Sequence, residues 1–149
     1  MDQKTNITIC CPTRGRPKFA QRMALSALET ADNPNQINIK FYLNDDDPHL
    51  NEYKQILQNY DIGTDQSTVY SWNQIAETNT SDLYMLAGDD IQFLTPGWDS
   101  KFMNCFNIYP DGIFMISFDN GKDNLKTSPH PVVTKQWRQA LGWYFPFMF

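Results

Sequence analysis

The chain has 149 residues, 41% of them hydrophobic, with 12 basic against 17 acidic side chains and a net charge of −5. This fits one globular domain spanning residues 1–149 with its own core, and it excludes a disordered chain. The acidic balance also argues against a general attraction to nucleic-acid phosphates.

The first residues, "MDQKTN", are polar and lack a signal-peptide core, and no run approaches the ~20 apolar residues of a membrane helix. Cys10, Cys11 and Cys105 have neither metal-site nor disulfide-framework spacing, so a reducing cytoplasm is the expected location.

"ITICC" (7–11) is a continuous apolar, β-branched run, as in a strand covered on both faces. "PTRGRP" breaks it. From Pro17 to Ala31 the period becomes helical, with Phe19, Met23 and Ala27 on one stripe and Ala20, Ala24 and Leu28 beside it; Asn33 and Pro34 stop it. "INIKFYL" (37–43) alternates as a strand with Ile37, Ile39, Phe41 and Leu43 on one face. Leu50, Tyr53, Leu57 and Tyr60 form a second helical stripe. A third helix is predicted from Ser67 to Thr78, with Val69, Trp72, Ile75 and Ala76 inward. "LYMLA" (83–87) is a second fully apolar strand. Thr95 as cap and Pro96 at the first position open a helix carrying Trp98, Phe102, Cys105 and Phe106. "GIFMISF" (112–118) reads as another buried strand, and Thr134 caps a last helix stopped by Gly142.

Strands alternating with helices predict an α/β fold, a single mostly parallel sheet flanked by helices. Ligands of such sheets bind outside the carboxyl ends of the strands. There this sequence places Thr13-Arg14-Gly15-Arg16, then Asn44-Asp45-Asp46-Asp47, Gly88-Asp89-Asp90 and Asp119-Asn120.

Arg14, Arg16, Lys18 and Arg22 crowd the start of the first helix. The helix dipole disfavours bare cations there, while its free N–H groups favour an anion. Both facts fit a phosphate or diphosphate; a solvated basic turn is the alternative. In "NDDDP" one acid, Asp47, suffices to cap the following helix, which leaves Asp45 and Asp46 for a base or sugar, unless the segment is an ordinary acidic turn. Asp89 and Asp90 end a buried strand and need a cation, a donor or a raised pKa. Mg²⁺ or Mn²⁺ satisfies them best, because either ion takes one or two carboxylates and completes its shell with water and phosphate oxygens.

"ITICCPTRGRP", "INIKFYLNDDDP", "YSWNQIAE" and "DLYMLAGDDIQFLTPGWD" together resemble a GT-A glycosyltransferase domain of the inverting, family-2-like group, in a form often seen in bacteriophages. The resemblance covers about residues 7 to 145 and rests on the order and spacing of short motifs. It implies a GT-A fold and a nucleoside-diphosphate sugar donor, with host cytoplasm as location if phage-encoded. Pro12 and Thr13 would line the base pocket, Arg14 and Arg16 would lie near the diphosphate, and Asp46, with Asp45 as neighbour, would contact the base, typically uracil. Trp72 and Asn73 match the motif near the ribose, although core packing also accounts for Trp72. Asp89-Asp90 stands in for the DxD motif, with Asp89 at the ribose hydroxyl and Asp90 at the Mn²⁺ or Mg²⁺ ion. The reaction implied is transfer to an acceptor hydroxyl with inversion.

The sequence departs from that pattern at the base. No acid follows Asp123, and five of the last seven residues, "WYFPFMF", are aromatic. A C-terminally short domain, or a partner or second copy covering the apolar end, is therefore expected. Asp119 is the fallback base; His130 in "SPHPVV" is either a metal or acceptor ligand or, as a lone histidine between prolines, a loop residue; His49 is a surface residue. The rival readings are a nucleotidyltransferase, which should carry a glycine-rich loop where only Gly15 stands, a non-catalytic nucleotide-sugar-binding or assembly module, and a receiver domain, whose acids should follow the first strand.

Overall fold

A computed structural model of the chain describes residues 6–119, 121 and 128–146. Asn120, Asp123 and the last three residues of the aromatic tail lie outside the described residues.

Six strands form one sheet in the order β3-β2-β1-β4-β6-β5. They are β1 (Ile7–Thr13), β2 (Ile37–Asn44), β3 (Tyr60–Gly63), β4 (Leu83–Leu86), β5 (Met115–Ile116) and β6 (Val132–Thr134). The β1–β2, β1–β4 and β2–β3 pairs are parallel, and β6 runs antiparallel to both β4 and β5. The helices are α1 (Pro17–Glu29), α2 (Leu50–Ile56), α3 (Thr68–Thr78), α4 (Trp98–Ile108) and α5 (Lys135–Leu141). None among the described residues is long and apolar enough to cross a membrane.

Both faces of the sheet are covered, as continuous apolar strands demand. On one, Ile7, Ile9, Cys11, Phe41, Leu43 and Met85 pack against Met23 and Ala27 of α1, Tyr53 of α2, and Trp98 and Phe102 of α4. On the other, Cys10, Tyr42, Tyr84 and Leu86 meet Ile75 and Ala76 of α3 together with Tyr144 and Phe145. Ser67 caps α3 by accepting the Tyr70 N–H, Thr134 caps α5 by accepting that of Trp137, and Gly142 ends α5 at φ +90°.

Several expectations fail for identifiable reasons. Tyr60 does not continue the second helix: α2 stops at Ile56, and Tyr60 opens β3, whose ladder to Phe41–Asn44 satisfies the free edge of β2. Phe19 and Leu28 face outward on α1, and Ser26 takes their place inside. Thr95 is not the cap of α4; Gly97 precedes that helix at φ +65°, and its N–H is tied to Thr30 O at 2.7 Å. "GIFMISF" is not a buried strand either. Its strand part is two residues at the sheet edge, because Phe114 and Phe118 pack on Phe106 and Phe102 of α4. The buried place beside β4 belongs to β6, which is too short to show a period. Of the aromatic tail, Tyr144 and Phe145 are buried within the chain itself, against Tyr84 and Trp72.

Candidate active site

Because β1, β2 and β4 are parallel and in register, their carboxyl ends share one edge. The loop after β1 supplies Arg14, Gly15 and Arg16. Gly15 takes φ +70°, and its N–H donates to Asp47 Oδ2 at 2.7 Å. Asp47 Oδ1 accepts the His49 N–H at 2.8 Å, and His49 occupies the cap position of α2. Asp47 is therefore not the helix cap expected of it; it is a buried clasp between the β1 and β2 loops.

Asp46 and Arg14 form a two-pronged ion pair at 2.5 and 3.1 Å. The Arg14 hydrogen bond holds the Asp46 carboxyl below its usual range, and the same bond raises the guanidinium. Asp45 is exposed beside them, and Pro12 is half-buried at the end of β1. Asn44 reaches Asp65 at 2.7 Å, an acid the motifs do not single out.

The positive species opposite Asp89 is Arg16. Asp89 is completely buried. Its Oδ2 accepts from Thr13 Oγ1 at 2.6 Å and from Arg16 Nε at 3.2 Å. Arg16 Nη2 stands 2.5 Å from Oδ1, an ion-pair contact off the hydrogen-bond direction. A buried carboxylate thus gains charge balance from a loop 73 residues earlier, where desolvation makes an unpaired charge expensive. Asp90 differs: its side chain is 55% exposed, 4.0 Å from Arg16 Nη1, and its carbonyl accepts from Arg22 Nη2. Arg22 lies over the exposed Phe19 ring at 4.8 Å, which accounts for that aromatic residue outside the core.

Asp90 opens onto a cleft of about 830 Å³ that is also lined by Asp119, His130, Lys101, Phe93 and Phe118. A Cβ on Gly88 would come within 2.8 Å of Asp90 Oδ1 and 3.3 Å of His130 Cε1, so Gly88 lets both side chains close over the strand end. Asp119 is exposed, and its Oδ1 accepts the Gly121 N–H at 2.8 Å. Among the described residues, no three His, Cys, Asp or Glu side chains gather as a protein-only metal cage would. An exposed carboxylate such as that of Asp90 nevertheless has the chemistry that suits Mg²⁺ or Mn²⁺, which take one or two carboxylates and keep waters in their shells.

Trp72 and Asn73 belong to the α3 face of the sheet. Trp72 Nε1 reaches Ala87 O at 3.4 Å, directly under the acidic loop. Asn73 is buried, and its amide pairs with the Phe145 backbone through Nδ2 to O at 2.9 Å and N–H to Oδ1 at 3.1 Å. The edge therefore brings together Thr13, Arg14, Arg16, Asp46, Asp89 and Asp90, while Asn73 is held elsewhere. One contributor went unread: Tyr53 of the α2 stripe touches both Thr13 and Arg16 with its hydroxyl. A tyrosine at a wholly inward position, where leucine would pack, is the signal that points to it.

No protein-family profile matches the chain, and no curated protein is similar enough in sequence to count as a relative. Solved structures do resemble it. A mannosyltransferase from Pyrobaculum calidifontis in complex with GDP-Man and Mn²⁺ superposes with TM-score 0.72 at 10% identity, over 97% of this chain and 48% of that one. S. aureus TarS 1-349 in complex with UDP gives 0.67 at 12% identity, over 95% and 50%. A cytidylyltransferase from Leptospira borgpetersenii gives 0.59 at 12%, over 93% and 63%. The fold is thus the α/β fold of GT-A-like nucleotide-sugar transferases. The chain spans about half the length of the first two.

Proposed function

We propose that this chain is the nucleotide-binding part of a glycosyltransferase that moves a sugar from a nucleoside-diphosphate donor, UDP-linked on the motif pattern, to an acceptor hydroxyl with inversion. The observation that carries the reading is the meeting of Arg16 with Asp89 and Asp90 on the edge where α/β sheets bind ligands.

In this reading Arg14 and Arg16 face the diphosphate, and Asp46 with Asp45 meets the base beside Pro12 and Thr13. Arg16 sits in place before the reaction and stabilises the charge that grows on the departing diphosphate. Asp89 has no surface of its own, so it serves by aiming Arg16, and it meets the ribose hydroxyl only if Arg16 swings aside. Asp90, with His130 beside it, would hold Mn²⁺ or Mg²⁺, which supplies further positive charge to the leaving diphosphate. The acceptor oxygen attacks the anomeric carbon from the opposite face, and the sugar–phosphate bond breaks with its electron pair going to the diphosphate. Asp119, on the shared cleft, takes the acceptor proton.

Calorimetric titration of UDP, GDP and CDP, with and without Mn²⁺, tests this. Metal-dependent binding of one of them is expected; metal-independent binding, or none, removes the mechanism. A second reading has one specific support, the fold likeness to a cytidylyltransferase. Pyrophosphate release from a nucleoside triphosphate and a sugar would favour it. Nucleotide binding without donor hydrolysis or transfer would instead mark a non-catalytic module.

A further inference from the structure

Tyr53 sits in the middle of α2 with no accessible surface, at a position where an apolar side chain would fill the same space. Burying a phenol hydroxyl is unfavourable unless the oxygen has work to do. Here it has two partners from another element. Thr13 Oγ1 lies 2.8 Å away, and the Arg16 backbone N–H donates to it at 2.9 Å. Thr13 and Arg16 both reach Asp89 Oδ2 from the other side, so Tyr53, Thr13, Asp89 and Arg16 close a ring.

Counting protons orients that ring. Each hydroxyl has one proton to give. Asp89, paired with a guanidinium, accepts only, so the Thr13 proton goes to Oδ2 at 2.6 Å. The Thr13–Tyr53 contact must then be filled by the Tyr53 proton, and a Tyr53 lone pair receives the Arg16 N–H. One arrangement fills every hydrogen bond of the ring. Arg16 is also the cap residue of α1, where no side chain caps the helix, so Tyr53 supplies the anchor of that helix start. Burial pushes the Tyr53 phenol up, and the proton stays on the oxygen.

We infer that Tyr53 is a positioning residue of the proposed diphosphate site: its hydroxyl locks the 13–16 loop onto Asp89 and so fixes the half-exposed Arg16 guanidinium at the edge where the ligand would lie. The inference rests on the nucleotide-sugar reading above and adds to it a residue that touches no ligand. It predicts that Tyr53 acts through Arg16, and that separates positioning from mere core filling.

The test uses the full chain with Tyr53→Phe, Arg16→Ala and the double substitution, each titrated with UDP in Mn²⁺ and followed by amide hydrogen exchange. Tyr53→Phe keeps the ring volume and is expected to weaken UDP about tenfold, the scale of one lost hydrogen bond to a charged network. On an Arg16→Ala background the same change is expected to cost less than about threefold, since coupled residues are not additive. The Arg16 amide is expected to exchange at least about tenfold faster in Tyr53→Phe, while those of Ile9 and Cys11 stay protected. UDP affinity equal to wild type in Tyr53→Phe, or losses that multiply in the double variant, would overturn the inference and leave the nucleotide reading standing. A wild-type chain that binds no nucleoside diphosphate ends both. An Arg16 amide that is unprotected in the wild type overturns the Tyr53 assignment even if Tyr53→Phe does not fold.

Discussion

Arg16 and Asp89, 73 positions apart, tie the loop after β1 to the loop after β4 at the carboxyl edge of the sheet: guanidinium Nη2 stands 2.5 Å from a carboxylate oxygen that is sealed from solvent. Arg16→Ala leaves that carboxylate buried without its cation. Removing one partner of a fully buried pair costs about 3–5 kcal/mol. Arg16 is half exposed, so water can enter, and a loss of about 1–3 kcal/mol is expected in urea unfolding. Arg16→Ala combined with Asp89→Asn should regain most of it. A double variant as unstable as Arg16→Ala would show that charge balance is not what the pair provides.

Asp90 is the contrast. Its exposed side chain lies 4.0 Å from Arg16, so Asp90→Asn should leave the unfolding free energy within about 0.5 kcal/mol of wild type. Mn²⁺-dependent UDP binding should disappear. Asp119→Asn should bind UDP with metal as the wild type does and lose transfer. If Asp90→Asn binds UDP normally, the metal assignment fails.

Asn73 separates stability from binding in the other direction. Its amide holds the Phe145 backbone against α3 from both ends. Asn73→Ala strands a buried N–H and a buried carbonyl, and a loss of about 1–3 kcal/mol is expected. Nucleotide affinity should change less than about twofold. A fall in affinity at unchanged stability would restore the ribose-side role that its motif position implies.

Asp99, buried at the start of α4, accepts the N–H groups of Asp32 and Asn33, both at 2.8 Å, and joins α4 to the turn after α1. Burial pushes its carboxyl up, but these hydrogen bonds, with Ser100 N–H and the Asn33 amide, pull it further down, and the net shift is downward. A depressed folded pKa contributes stability that is present above the unfolded value near 3.9 and is lost as pH falls through the folded pKa. The acid limb of the wild-type stability curve should therefore steepen below about pH 4, and Asp99→Asn should flatten it while costing about 1–2 kcal/mol at pH 7. Identical acid limbs would mean that Asp99 is not a source of the linkage.

Much of this fold follows from local pattern. The apolar runs of β1 and β4, the alternation of β2, the Thr134 cap and the Gly142 stop are each set by residues within a few positions of one another, so they can be read along the chain. The polar clusters after the parallel strands are legible for the same reason, since parallel pairing sends those ends to one edge. Pairing partners are another matter. Whether Asp89 meets a metal or Arg16, whether Asn73 faces a ribose or Phe145, and whether Tyr53 is filler or anchor depend on contacts between residues from 37 to 73 positions apart. The short strands β3 and β6 exist because β2 and β4 offer them an unpaired edge, not because of any period of their own. Sequence determined which chemistry reaches the edge; only packing decided who neutralises whom, because burial makes a charge's nearest partner a matter of three-dimensional distance.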